Sequence, residues 1–173
     1  IVRGFKAYEL MLSRHPELLG KVSFLAFLVP SRTHIRQYQR YMDEIRQVVN
    51  QVNSNYGTDD WQPIVTFIEN NYIQAIAGMK LYDVLLVNTL MEGMNLVAKE
   101  GPVVNTRQGV LVLSETSGVH HQLSPGALSV SPTDIEGTME ALYRAITMAP
   151  EDRKHLSSLL VDTICREDIT HWI

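Results

Sequence analysis

The chain carries one cysteine, Cys165, in 173 residues. A single thiol excludes an internal disulfide, and a secreted, disulfide-stapled scaffold of this length would carry an even set. No apolar run approaches the ~18 residues of a membrane-spanning helix. Positive charge is in slight deficit: 15 Lys and Arg stand against 19 Asp and Glu, for a net charge of −4. The clustered basic excess that grips nucleic acid or anionic lipid is therefore missing. Also absent are a Gly-x-Gly-x-x-Gly run, a Walker loop, an internal repeat and a low-complexity stretch. The sequence opens on Ile1 with no leader, already in helical periodicity and with no strand ahead of it. That opening reads as a piece of a larger protein.

What is present is a regular alternation of apolar runs and amphipathic stretches, 45% hydrophobic in all. Residues 1–14 predict a helix ended by His15-Pro16, because the residue before proline is pushed out of helical geometry. The run from Val22 to Val29 reads as a strand buried on both faces. A helix start at Pro30-Ser31-Arg32-Thr33 leads into a stripe of Ile35, Tyr38, Tyr41, Ile45, Val48, Val49 and Val52, and residues 53–60 read as a loop. Further strands are expected at 64–68, 83–88, 110–113 and 127–130. Helices are expected at 72–81, 95–104, from 133–134 to about 147, and after Pro150. Apolar strands alternating with helices predict an α/β protein, a doubly wound, mostly parallel Rossmann-like sheet with helices on both faces.

In such sheets ligands bind beyond the carboxyl ends of the strands. The loop Met91-Glu-Gly-Met-Asn-Leu96 is the most informative, since it runs straight into a helix. Gly93 permits close backbone approach, and the first turn presents N–H groups with a partial positive field, the elements of a diphosphate site. Glu100, in the second turn, can accept from two vicinal hydroxyls of a ribose. The plainer alternative is a turn followed by a solvated glutamate. Arg32, at a strand's carboxyl end, suits a phosphate through two parallel donors, or is a surface arginine beside a helix start. His120-His121 read as polar loop residues, since adjacent side chains diverge and no carboxylate or cysteine stands at metal-ligand spacing. Cys165 reads as a packed thiol, and Met91, Met94, Met139 and Met148 as core filler.

Glu92-Gly-Met-Asn-Leu-Val-Ala-Lys-Glu100, followed by Gly109-Val-Leu-Val-Leu-Ser-Glu115 and Gly118, resembles the trehalose-6-phosphate synthase family of retaining GT-B glycosyltransferases. At the first motif only the opening acid differs, the family having Asp. Further matches run along the chain at Pro30-Ser31-Arg32, Tyr38-Gln39, Trp61-x-Pro63, Asp83-Val84, Ala127-Leu128, residues 145–148 and residues 168–172. The resemblance implies transfer of glucose from a nucleotide sugar, UDP-glucose or similar, to a sugar phosphate such as glucose 6-phosphate. It implies retained anomeric configuration, a cytoplasmic setting, and no cofactor or metal. Residues 1–173 would form the C-terminal, donor-binding Rossmann-like domain, without its first strand and without the N-terminal acceptor domain. Glu92 would contact the donor sugar, and the amides of Gly93, Met94, Asn95 and Leu96 the sugar and diphosphate. Glu100 would hold the ribose, Asn70 and Asn71 would lie near the base, and Arg32 would meet the acceptor phosphate.

The departures are Glu92 for Asp, Met91 for a common Arg and Thr89 for Pro. The family's Arg and Lys that neutralise the leaving diphosphate fall before Ile1, and removing even one such donor costs ~10² to 10³ in rate. The chain alone is therefore expected to be inert. A non-catalytic or regulatory domain of the same fold stays open. So does a related synthase with another acceptor, a glucosylglycerol-phosphate synthase or a pseudo-glycosyltransferase. A sheet without its central strand has two unpaired edges, which another chain, a second copy included, could cover.

Overall fold

The computed structural model describes residues 1–30 and 34–167 and divides into two compact units, Ile1–Ala75 and Ile76–Ile173. In the first, α1 (Val2–Arg14) buries Phe5, Tyr8, Met11 and Leu12. The rings of Phe5 and Tyr8 meet Phe24 edge-on at 5.1 and 5.6 Å. The Tyr8 hydroxyl donates to the Val22 carbonyl at 2.6 Å. β1 (Phe24–Phe27) and β2 (Ile64–Phe67) pair in parallel, in register from Phe24↔Ile64 to Phe27↔Phe67, where the two rings stack at 4.9 Å.

Strand β1 is shorter than the apolar run that encodes it, and it is not buried on both faces. Ala26 is buried, but Leu25 is 49% exposed, and among the described residues β1 is paired along one edge only. A run of apolar residues is buried only as far as neighbours cover it. The same holds along α2 (Arg36–Tyr56). Ile45, Val49 and Val52 are buried, whereas Tyr38 and Tyr41 at the start of the stripe are exposed. They line a cavity of ≈ 730 Å³ together with Phe27, Pro30 and Gln39.

The expected loop from Asn53 is instead the last turn of α2, and the cause is local. The Asn53 side chain donates to the Ile64 carbonyl at 2.8 Å and accepts from the Ile64 amide at 2.9 Å, as a strand neighbour would. This asparagine therefore ties the helix to β2 rather than breaking it.

α3 (Tyr72–Leu81) carries the chain into the second unit. There β3 (Val84–Val87), β4 (Val110–Ser114) and β5 (Ala127–Val130) form a parallel sheet in the order β3-β4-β5. β4, paired on both edges, is buried at every position. Leu111 and Leu113 join Ala98 of α4 (Leu96–Val104), Leu123 of α5 (His120–Leu123) and Leu160 of α7 (Pro150–Arg166) in one apolar cluster. By the two-residue alternation of a strand, Val110 and Val112 face the other way. There α6 (Ile135–Thr147), capped by Asp134, packs against all three strands with Met139, Leu142 and Ala145 buried. Helices thus cover both faces of a parallel sheet, as the α/β alternation predicts.

α4 ends on Asn105, whose Nδ2 donates to the carbonyls of Met79 and Tyr82, and whose Oδ1 accepts from the amides of Arg107 and Gly109. All four hydrogen-bonding positions of the amide are used. Between those amides Gln108 is held in the left-handed region at φ 55°. A Cβ at Gly109 would strike the Tyr82 ring, so the glycine is required by close approach.

Three expectations are corrected. His120 and His121 lie in the short helix α5, not in a loop, and His120 Nε2 sits 2.8 Å from Ser129 Oγ. Cys165, near the end of α7, is exposed rather than packed. Of the four methionines expected in the core, Met139 is buried, but Met91 is 90% exposed and Met94 64%. The match at 168–172 lies outside the described residues.

Candidate functional site

The second unit gathers Glu92–Leu96 and Glu100 at the carboxyl end of its sheet, where the chain leaves β3 and enters α4. Asn95 is the N-cap: its Oδ1 accepts from the Ala98 amide at 2.8 Å. Asparagine suits that role because its short side chain reaches the first free N–H groups of a helix. The Leu96 and Val97 amides have no carbonyl one turn earlier to bond, so they remain for an external acceptor in the positive field of the helix end. Leu96 is 56% exposed and Val97 39%. A Cβ built on Gly93 would meet nothing within 4 Å, so a ligand can come up against the backbone there.

The neighbouring loop fixes this corner. Ser114 Oγ and Thr116 Oγ1 both reach the Thr89 carbonyl, at 2.7 and 2.9 Å. The Gly118 amide is shared between the carbonyls of Glu92 (3.0 Å) and Gly93 (2.9 Å), and Glu92 forms a parallel bridge with Ser117. A Cβ on Gly118 would lie 2.6 Å from the Gly93 carbonyl oxygen. The loop that carries Glu92 is thus built onto the end of β4. Glu92 itself is exposed, and its Oε2 accepts from Asn95 Nδ2 at 2.7 Å. Glu100 is half-buried in the second turn of α4.

The expected site residues of the first unit fall apart into two cases. Asn70 and Asn71 are exposed and line a cavity of ≈ 110 Å³ with Phe27, Val29, Glu69 and Gln74. Asn71 is also an anchor, its Oδ1 accepting from the Gln74 amide at 3.0 Å at the start of α3. Arg32, the residue expected at the acceptor phosphate, lies outside the described residues. Among the described residues no three His, Cys, Asp or Glu gather as a metal centre requires. No helix there is long and apolar enough to cross a membrane.

Two features of this corner go beyond the sequence expectations. Asn95 is expected to act through its amide, but its side chain caps the helix, and an asparagine directly before an apolar helical run is the signal for that. Ser114 and Gly118 stand in the sequence only as motif letters and Thr116 as none, although all three support the Glu92 loop.

The chain's likeness to known proteins is extensive. It is 34% identical over 177 residues to the bifunctional trehalose-6-phosphate synthase/phosphatase of Thermoproteus tenax, a match that covers 99% of this chain and 24% of that protein. A UDP-forming alpha,alpha-trehalose-phosphate synthase from Burkholderia xenovorans, solved in complex with glucose-6-phosphate, superposes with a TM-score of 0.94 at 32% identity, over 99% of this chain and 38% of that one. An Escherichia coli trehalose-6-phosphate protein bound with UDP-2-fluoro glucose gives a TM-score of 0.93 at 32% identity, again over 99% and 38%. The chain thus spans well under half the length of these relatives. The family model described as glycosyltransferase family 20 matches residues 1–173, and the chain belongs to that family.

Proposed function

We propose that the chain is the donor-binding part of a retaining glycosyltransferase that moves glucose from UDP-glucose to a sugar phosphate such as glucose 6-phosphate, yielding trehalose 6-phosphate. The observation that carries this reading is the open corner at the start of α4. There the amides of Leu96 and Val97, the bare backbone of Gly93 and the carboxylate of Glu92 converge, with Glu100 half-buried one turn on. A diphosphate is met by amides at a helix N-terminus, a glucose by a carboxylate that accepts from its hydroxyls, and a ribose by the second carboxylate. We assign the amides of Gly93, Met94, Asn95 and Leu96 to the sugar and diphosphate, and Glu100 to the ribose. Asn70 and Asn71 are assigned to the base and Arg32 to the acceptor phosphate. The UDP-forming relatives support uridine as the base, and their substrates support a cytoplasmic setting.

Binding and turnover separate in this chain. The charge that builds on a departing diphosphate must be met by fixed donors or cations, and among the described residues no Lys or Arg lies between Thr89 and Val97. The loop from Thr89 to Val97 is therefore assigned to binding, and the cations that transfer needs to residues outside it. Calorimetric titration with UDP, GDP and ADP tests this, with UDP expected to bind tightest. A coupled assay of nucleotide release from UDP-glucose should stay at the no-protein level. Failure of all three nucleotides to bind a folded chain would overturn the assignment.

A further inference from the structure

The Asn95 side chain does two jobs, and only one of them serves the fold. An N-cap asparagine needs its Oδ1, which here accepts from the Ala98 amide, and it ordinarily leaves its Nδ2 to water. Here Asn95 is 8% exposed, and Nδ2 is spent on Glu92 Oε2 at 2.7 Å. The assignment of the two ends is forced by their partners. Turning the amide over would set Oδ1 against a carboxylate and Nδ2 against an N–H, two repulsive contacts in place of two bonds. The bond to Glu92 is short and charge-assisted, the stronger kind.

Glu92 would otherwise be a solvated side chain with three free rotors. Its carbonyl is held by Gly118 and its chain bridged to Ser117, so the Asn95 bond completes the restraint from main chain to carboxylate. One carboxylate oxygen is committed, and Oε1 is left for an outside donor.

We propose that Asn95 is a positioning residue for the donor sugar, fixing the Glu92 carboxylate in place before a glucose hydroxyl arrives. This rests on the donor-site reading given above. The side chain touches no ligand; it acts through Glu92, by removing the rotamer freedom the acid would lose on binding. Ordering one such side chain is worth about two- to tenfold in affinity.

The test uses the 173-residue chain with UDP and UDP-glucose as probes, by calorimetry, with thermal melts alongside. Asn95→Ser and Asn95→Asp both keep an oxygen to cap Ala98; Asp replaces the donor to Glu92 with a like charge, and Ser, one atom shorter, draws its single hydroxyl back from the position that Nδ2 holds. UDP-glucose should weaken by about two- to tenfold in Asn95→Ser, and by more than UDP does; in Asn95→Asp the added charge at the helix start weakens both probes, UDP-glucose the more. Against a Glu92→Ala background, Asn95→Ser should add no further loss, because the group it acts through is gone. Equal weakening of UDP and UDP-glucose, no weakening of either, or additive losses in the double variant would each overturn the proposal. If the unmodified chain binds neither probe, the donor-site reading fails and takes this inference with it. If it binds both and the variants behave like it, only the role of Asn95 fails.

Discussion

Leu25 in β1 and Leu111 in β4 occupy runs that read alike in the sequence, short, apolar and bounded by polar residues. In the structure Leu111 is wholly buried and Leu25 is 49% exposed. The difference lies in what surrounds them. β4 has a parallel neighbour on each edge and helices over both faces, whereas β1 has one paired edge among the described residues. An apolar run records that a strand can be buried; how far it is buried depends on the neighbours that pack against it. The largest expected effect follows from this contrast. Leu111→Ala should cost ~2–5 kcal/mol in urea denaturation, the price of a cavity in a packed core. Leu25→Ala should cost less than about 1 kcal/mol, because half the side chain already meets water. Equal losses would break the comparison.

The two glycines of the site corner sharpen the same point on a smaller scale. A Cβ at Gly118 runs into the Gly93 backbone at 2.6 and 2.9 Å, while a Cβ at Gly93 meets nothing. Gly118→Ala should therefore destabilise the chain by ~1–3 kcal/mol, as overpacking against backbone does. Gly93→Ala should leave stability within about 0.5 kcal/mol and weaken UDP-glucose, since the added methyl occupies space assigned above to the ligand. Thermal melts paired with calorimetry separate the two. If Gly93→Ala binds UDP-glucose as well as the unmodified chain does, the glycine is not a ligand contact.

Much of this was legible beforehand, for physical reasons. α3 and β5 fall on the expected residues because their limits are set by local chemistry. Asn71 starts α3, and the Ser124-Pro125-Gly126 turn sets the start of β5. The loop at Glu92 was legible because a glycine beside a carboxylate at a helix start is a chemical statement in itself. What stayed hidden depends on distant partners. Asn53 reads as a loop residue until Ile64 is beside it, and Cys165 reads as packed until its face of α7 is seen to be open. Met91 and Met94 read as core filler because methionine usually is; only the fold places them in solvent, around the corner where the donor is proposed to sit.

The smallest effect is expected at the opposite end of the second sheet. Asp83, at the amino end of β3, takes Arg107 Nη2 at 3.2 Å and Arg153 Nη2 at 3.4 Å on one oxygen. The carboxylate is half exposed, with 50% of its side chain accessible, so water and salt screen both attractions. Arg153 also reaches the Gln108 and Asp83 carbonyls, at 3.3 and 3.4 Å. Those bonds survive Asp83→Asn, which removes the charge and keeps the shape. The substitution should cost between about 0 and 1 kcal/mol, shrinking toward nothing in 1 M salt, where the screening length is ~3 Å. UDP affinity should not change, because the donor site is proposed at the other, carboxyl end of the strands. A salt-independent loss, or a fall in UDP affinity, would mean that the two ends of the sheet are coupled and that their division of labour is wrong.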